Sequence, residues 1–279
     1  MTYLSCWLKW LALGSFVAIA PTSLALAKPA LSPSVSHVAQ TSQANLSQHF
    51  QALDIEGSII IYDLNQNLTH QHNPERNATP FLPASTFKIL NSLIALETGV
   101  IANDLSILTW DGVNRSIPAW NRDHNMRTAF PASTVWFYQV LARRIGHERM
   151  QQWVAAANYG NQTIGGNEAI DTFWLNGDLR ITPQEQIQFL QRLQSNDLPF
   201  SEDTIATVKD IMIVERTPDY TIRAKTGWAL AGEVGWYVGY VEQSENTYFF
   251  ATNIDIRDQA DLKNRAEVTR RSLETLQLL

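Results

Sequence analysis

Three strand-length runs in the last third of the chain constrain the fold more than any other feature. Tyr220–Ala229, Val234–Glu242 and Thr247–Ile256 are rich in β-branched and aromatic residues, which suit a pleated, half-buried surface. The gaps between them, around Gly232 and across Gln243-Ser244-Glu245-Asn246, are too short for crossover connections. The runs must therefore pair as an antiparallel meander. Two more strands are expected near the N-terminus, Gly57–Asp63 and Leu68–His72, joined by a turn at Asn65-Gln66-Asn67. A C-terminal helix is expected from about Asp261 to Leu278.

Between the two strand groups the apolar period becomes helical. A helix is expected from Ser85 through Leu96, closed by Gly99 as a C′ glycine. Others run over Ser133–Ile145 and Glu148–Ala157, and from Ser201 to about Ile213. Thr182-Pro183-Gln184-Glu185 is a helix start, with an N-cap Thr, Pro at N1 and Glu at N3. Asn158–Gly177 reads as a loop. The order predicts an α+β fold, in which the N-terminal strands and C-terminal helix pack onto the later strands around an interleaved all-helical lobe.

Composition narrows the function. The net charge of −6 and the lack of any basic cluster larger than Arg143-Arg144 or Arg270-Arg271 argue against a nucleic-acid partner. Residues 1–27 read as an export signal, with Lys9, an apolar run from Trp10 to Ala20, and Ala25-Leu26-Ala27 as the cleavage site. Pro21 cuts that run short of a comfortable membrane span. Cleavage removes Cys6, the only cysteine, so the mature protein has neither a disulfide nor a Cys-ligated metal. A periplasmic or secreted protein without stable membrane association follows. Residues 28–48, rich in Ser, Ala, Pro and Gln, read as a flexible tail preceding one domain over 49–279.

Chemistry enters at Ser85-Thr86-Phe87-Lys88. Helical positions i and i+3 share a face, so the Ser85 hydroxyl and the Lys88 amine are expected to be neighbours. A hydroxyl needs a base to become a nucleophile, and a desolvated lysine or its derivative can supply one. Alone, Ser-x-x-Lys arises by chance about once in a chain of this composition. Two further clusters follow it, Ser133-Thr134-Val135 at a helix start and Lys225-Thr226-Gly227 within a strand. In the second, a cation and a hydroxyl accompany a glycine that lets a ligand approach the backbone. His70 and His72 share one face of the second strand but have no evident third ligand; they read as exposed strand histidines, and no metal site is expected. Gly160, Gly165 and Gly166 do not form a phosphate loop, and there is no Gly-x-Ser-x-Gly elbow.

Together with Tyr159-Gly160-Asn161, these ordered motifs resemble the penicillin-recognising serine enzymes, and among them the class D (oxacillinase-type) β-lactamases. Trp120, Phe173-Trp174-Leu175, Gly177, Leu179-Arg180-Ile181 and Gly235-Trp236-Tyr237-Val238-Gly239 support the match, which runs from about Ala52 to Leu279. The resemblance implies a β-lactamase/transpeptidase-like fold and hydrolysis of small β-lactam substrates through a Ser85 acyl-enzyme. It implies that Lys88 is carboxylated by carbon dioxide and serves as general base for acylation and deacylation, with no other cofactor. Val135, Phe87 and Trp174 would line the pocket, the Trp174 N–H holding the carbamate. Ser133 would relay a proton to the leaving nitrogen, and the Ser85 and Trp228 backbone N–H groups would form the oxyanion hole. Lys225, Thr226 and, by local match, Arg265 would bind the substrate carboxylate, with Tyr159 lining the site. The oligomeric state is left open. A penicillin sensor or penicillin-binding protein, which acylates but scarcely turns over, shares the Ser-x-x-Lys and Lys-Thr-Gly motifs and is the rival reading. Val135, apolar as a dry carbamate pocket requires, favours the hydrolase.

Overall fold

A computed structural model describes residues 45–229 and 234–279. The expected signal, residues 28–44 of the expected tail, and the turn at Gly232 lie outside them. The helices are α1 (Ser47–Ala52), α2 (Pro74–Asn77), α3 (Lys88–Glu97), α4 (Met126–Ala129), α5 (Val135–Ile145), α6 (His147–Ala156), α7 (Pro183–Gln194), α8 (Glu202–Ile211) and α9 (Asn264–Thr275). The strands are β1 (Gly57–Asp63), β2 (Leu68–His72), β3 (Ile213–Arg216), β4 (Tyr220–Ala229), β5 (Val234–Gln243) and β6 (Thr247–Asp255). They form one antiparallel sheet in the order β2-β1-β6-β5-β4-β3. The N-terminal pair thus joins the meander through β1 and β6, placing Gly57 opposite Ile254 and Asp63 opposite Tyr248.

Apolar residues fill both faces. On one, α1 and α9 cover Ile59, Ile61, Ile222, Val241, Phe250 and Ile254, using Phe50, Val268 and Leu273. On the other, β5 and β6 contribute Trp236, Val238, Tyr240 and Phe249 to the larger core shared with the helical lobe. At the centre of that lobe is α3, buried from Lys88 through Ala95 and packed against α5, α6 and α8. The helix is largely apolar, and its buried Asn91 and Ser92 find partners on Tyr138; Lys88 is its one basic residue.

Three local expectations change. Helix α1 begins at Ser47, inside the stretch read as tail, because Leu46 and Phe50 are buried beneath it. The helix after Ser201 stops at Ile211, and Ile213–Arg216 forms an edge strand instead. Its residues alternate between half-buried and exposed, as a strand covering one face should. His70 and His72 are half-buried rather than exposed, His72 packing its ring 4.4 Å from that of Phe50. The Thr182 start closes as a capping box, with Thr182 and Glu185 each bonding the other's backbone N–H.

Candidate active site

Ser85 sits on a 3₁₀ turn, Ala84–Phe87, that runs directly into α3, not on the first α-turn as expected. The tighter turn improves the alignment, since side chains at i and i+3 eclipse in a 3₁₀ helix. Ser85 Oγ lies 2.7 Å from Lys88 Nζ. The Lys88 side chain is fully buried, with Nζ 5.4 Å from the centre of the Tyr138 ring. Burial, and then the nearby charge of Lys225, holds its pKa well below the usual lysine range. Burial thus shifts the balance at Nζ toward the neutral amine.

Long-range contacts fix this turn. Ala84 adopts a left-handed φ of 48°, uncommon for a residue with a side chain, and its N–H donates to Trp174 O at 2.9 Å. Phe81 and Ile181 exchange backbone bonds of 3.0 and 2.9 Å, and Trp236 Nε1 donates to Leu82 O at 2.8 Å. The Asn158–Ile181 segment and β5 thus hold the approach to Ser85 from two sides. Phe87 stacks on Trp174 (5.4 Å, 22°) and meets Phe173 and Tyr159 edge-on at 5.0 and 5.7 Å. Inside this aromatic cluster Trp174 Nε1 is buried and lacks an acceptor. Tyr159 is fully buried beside Thr86 and Gln186, and burial raises the pKa of its phenol. Gly160 has φ +54°, and a Cβ there would lie 2.1 Å from Arg180 O. Asn161 pins the same segment, accepting from Arg180 N and donating to Asp178 O.

The second cluster differs from its expected form. Ser133 precedes α5 rather than beginning it, in a left-handed turn with φ 55° whose N–H donates to Phe130 O at 3.1 Å. Val135 opens α5, one turn before Tyr138 on the same helix face, and is half-buried. The Phe130 ring of that turn lies 5.5 Å from Lys225 Nζ. Trp120 braces it from outside, donating through Nε1 to Ala132 O and accepting on its carbonyl from Trp136 Nε1, both at 2.8 Å.

Lys225, Thr226 and Gly227 lie on β4. Lys225 is buried, and burial, reinforced by the Arg265 charge, lowers its pKa to about 7. Its amine donates to Thr226 O at 3.0 Å. The fold itself also needs the glycine: a Cβ on Gly227 would lie 3.1 Å from Thr86 Cγ2 and 3.2 Å from Pro83 O. It admits the Ser85 turn to the edge of the sheet. Arg265, from α9, donates to Gly227 O at 2.6 Å, while its Nε is buried without an acceptor. Burial lowers its pKa to about 10. The Ala224 N–H bonds Met212 O, so by strand alternation the Trp228 N–H points to the same side, away from β5.

The fold thus brings together the turn of Ser85, the amine of Lys88 and the Lys-Thr-Gly strand, with a buried tryptophan N–H packed against that turn through Phe87. Residues 57–274 match the penicillin binding protein transpeptidase domain. A solved class D β-lactamase from Nostoc is 60% identical, superposes with a TM-score of 0.83 and covers 84% of this chain and 99% of its own. The chain belongs to the class D β-lactamases. β-Lactamase OXA-48 of Klebsiella pneumoniae is 43% identical over 241 residues, 85% of this chain and 90% of that protein. The probable β-lactamase YbxI of Bacillus subtilis is 40% identical over 215 residues, 77% of this chain and 79% of its own length.

Some supports of this class D β-lactamase site were not anticipated. Gln186 donates to Thr86 Oγ1 at 2.9 Å, Tyr138 pairs its hydroxyl with Ser92 Oγ at 3.0 Å, and His124 is buried behind the Ser133 turn. Each is an ordinary polar residue in a helical or loop stretch, and only the tertiary contact gives it meaning.

Proposed function

We propose that this protein hydrolyses β-lactams through an acyl-enzyme on Ser85, with Lys88 as the carrier of the general base. The observation that carries the reading is Ser85 Oγ at 2.7 Å from the Nζ of a fully buried lysine. An amine kept neutral can add carbon dioxide, and the resulting carboxylate would supply a base for the Ser85 proton and later for water. The residues fit such a group, because Trp174 Nε1 is a buried donor without an acceptor, and the Phe87 ring stacked on Trp174 with the Phe173 ring edge-on to it gives the indole apolar walls.

The other steps belong to the chain's own groups. Ser85 Oγ attacks the lactam carbonyl, whose oxygen takes up charge between the backbone N–H groups of Ser85 and Trp228. Ser133 passes a proton to the departing lactam nitrogen. Lys225, Thr226 and Arg265 hold the substrate carboxylate, with Arg265 fixed in reach of β4 by its bond to Gly227 O. Val135 and Trp174 close the Lys88 pocket, and Tyr159 supports Phe87 from below. We place the mature protein outside the cytoplasm on the strength of Lys9, the apolar run and Ala25-Leu26-Ala27. Among the described residues no helix is long and apolar enough to cross a membrane.

Mixing the mature protein with a chromogenic cephalosporin, with and without bicarbonate, tests the reading. Many turnovers per enzyme, accelerated by bicarbonate, are expected. A single stoichiometric burst would instead favour the penicillin sensor or penicillin-binding protein.

A further inference from the structure

Behind the Ser133 turn lies a polar contact set that the proposed chemistry does not use. His124 is only 1% exposed. Its Nε2 lies 3.0 Å from Ala119 O and 3.3 Å from Thr134 Oγ1, and its Nδ1 lies 3.0 Å from Thr128 Oγ1. A carbonyl can only accept, so Nε2 carries the proton, while Nδ1 faces the Thr128 hydroxyl, which also lies 3.1 Å from Asn125 O. Burial, the main effect on the ring, lowers its pKa and favours this neutral form. The backbone of His124 is fixed as well, exchanging bonds of 2.8 and 3.1 Å with Leu108.

These contacts converge on one turn. Thr128 closes the capping box of α4, and the carbonyls of Ala129 and Phe130 then accept from the N–H groups of Thr134 and Ser133. On the far side Ala119 adjoins Trp120, whose indole bonds Ala132 O. His124 therefore ties the segment before α4 to the residue following Ser133, which sits at a φ of 55°. A non-glycine residue in that conformation persists only where its surroundings hold it.

We infer that His124 is a positioning residue for Ser133: its Nε2–H spans Ala119 and Thr134, fixing the turn that aims the Ser133 hydroxyl at the departing lactam nitrogen. The inference rests on the proton-relay role proposed above for Ser133. It has a kinetic signature, because Ser133 protonates the leaving nitrogen in acylation and has no such task in deacylation.

The test compares His124→Gln, His124→Asn and His124→Leu by stopped-flow measurement of acylation and deacylation, with thermal melting alongside. The terminal nitrogen of glutamine reaches the Nε2 position, whereas that of asparagine reaches only Nδ1. Displacing a catalytic group by about 1 Å can cost on the order of 100-fold. His124→Leu and His124→Asn should therefore lose roughly 10- to 100-fold in acylation while deacylating at close to the normal rate. His124→Gln should recover most of the acylation rate. Equal losses in both steps, an unaltered acylation rate in the leucine variant, or glutamine no better than asparagine would each overturn the inference. If the leucine variant does not fold, the Gln–Asn comparison still decides. Ser133→Ala separates the two levels: normal acylation in that variant refutes the relay itself, whereas slow acylation there with a normal His124→Leu refutes only the positioning.

Discussion

Replacing Trp174 with phenylalanine isolates one atom of the proposed base site. The substitution keeps an aromatic ring to stack on Phe87, 5.4 Å away at 22°, and to meet Phe173 at 4.9 Å. It removes Nε1, the buried donor that has no acceptor in the protein. A hydrogen bond to a charged group contributes about 1.5–3 kcal/mol, which corresponds to roughly 10- to 150-fold in an equilibrium constant. Trp174→Phe should therefore need on the order of 10- to 150-fold more bicarbonate for half-maximal turnover. Its rate at saturating bicarbonate should recover substantially. Loss of the larger ring adds about 1–2 kcal/mol of destabilisation, read separately by thermal melting. Steady-state hydrolysis of a chromogenic cephalosporin against bicarbonate concentration gives the result. An unaltered half-saturating concentration would refute the assignment of Nε1 to the carbamate.

Three other substitutions probe the surroundings. Arg265→Ala removes a cation expected to hold the substrate carboxylate, so KM should rise about 10- to 100-fold with kcat little altered; Michaelis–Menten kinetics on a penicillin checks this. Lys225 has its folded-state pKa lowered from 10.5 to about 7, so between those values the unfolded chain binds more protons and stability rises with pH. At about 1.4 kcal/mol per pH unit, Lys225→Met should be more stable than the native protein by several kcal/mol near pH 7, an advantage that shrinks toward pH 10. Denaturant unfolding across that range checks the sign. Gly160→Ala forces a Cβ to within 2.1 Å of Arg180 O at a φ of +54°, and should destabilise by more than about 2 kcal/mol, seen as a lower melting temperature.

The sheet was largely legible because its period is simple. The meander strands begin at the expected residues, Tyr220, Val234 and Thr247, since each alternation is bounded by turn residues. Strand β3 was missed because Ile213-Val214 continues the apolar period of α8, and neither neighbouring sequence nor composition marks the change. Its partner, β4, is what makes it a strand. The Ser85–Lys88 contact was legible because it is local, three residues along one turn. Ser133 was misplaced by a residue or two because its left-handed φ is held by Ala129, Phe130 and, through Thr134, His124. Gly227 is legible as a backbone-approach position, but the close packing of the Ser85 turn against it, with Thr86 141 residues upstream, is not. Such pairings have no signature in a single sequence.

The central claim is that Lys88, neutral in its buried site, carries the base. Carbon-13 NMR of the native protein and of Lys88→Ala, each equilibrated with ¹³C-bicarbonate at the same pH, tests it most directly. A carbamate resonance of about one per protein chain, absent from the variant and falling as pH is lowered in parallel with turnover, is the expected result. Full turnover from protein that shows no such resonance, or from Lys88→Ala, would contradict it.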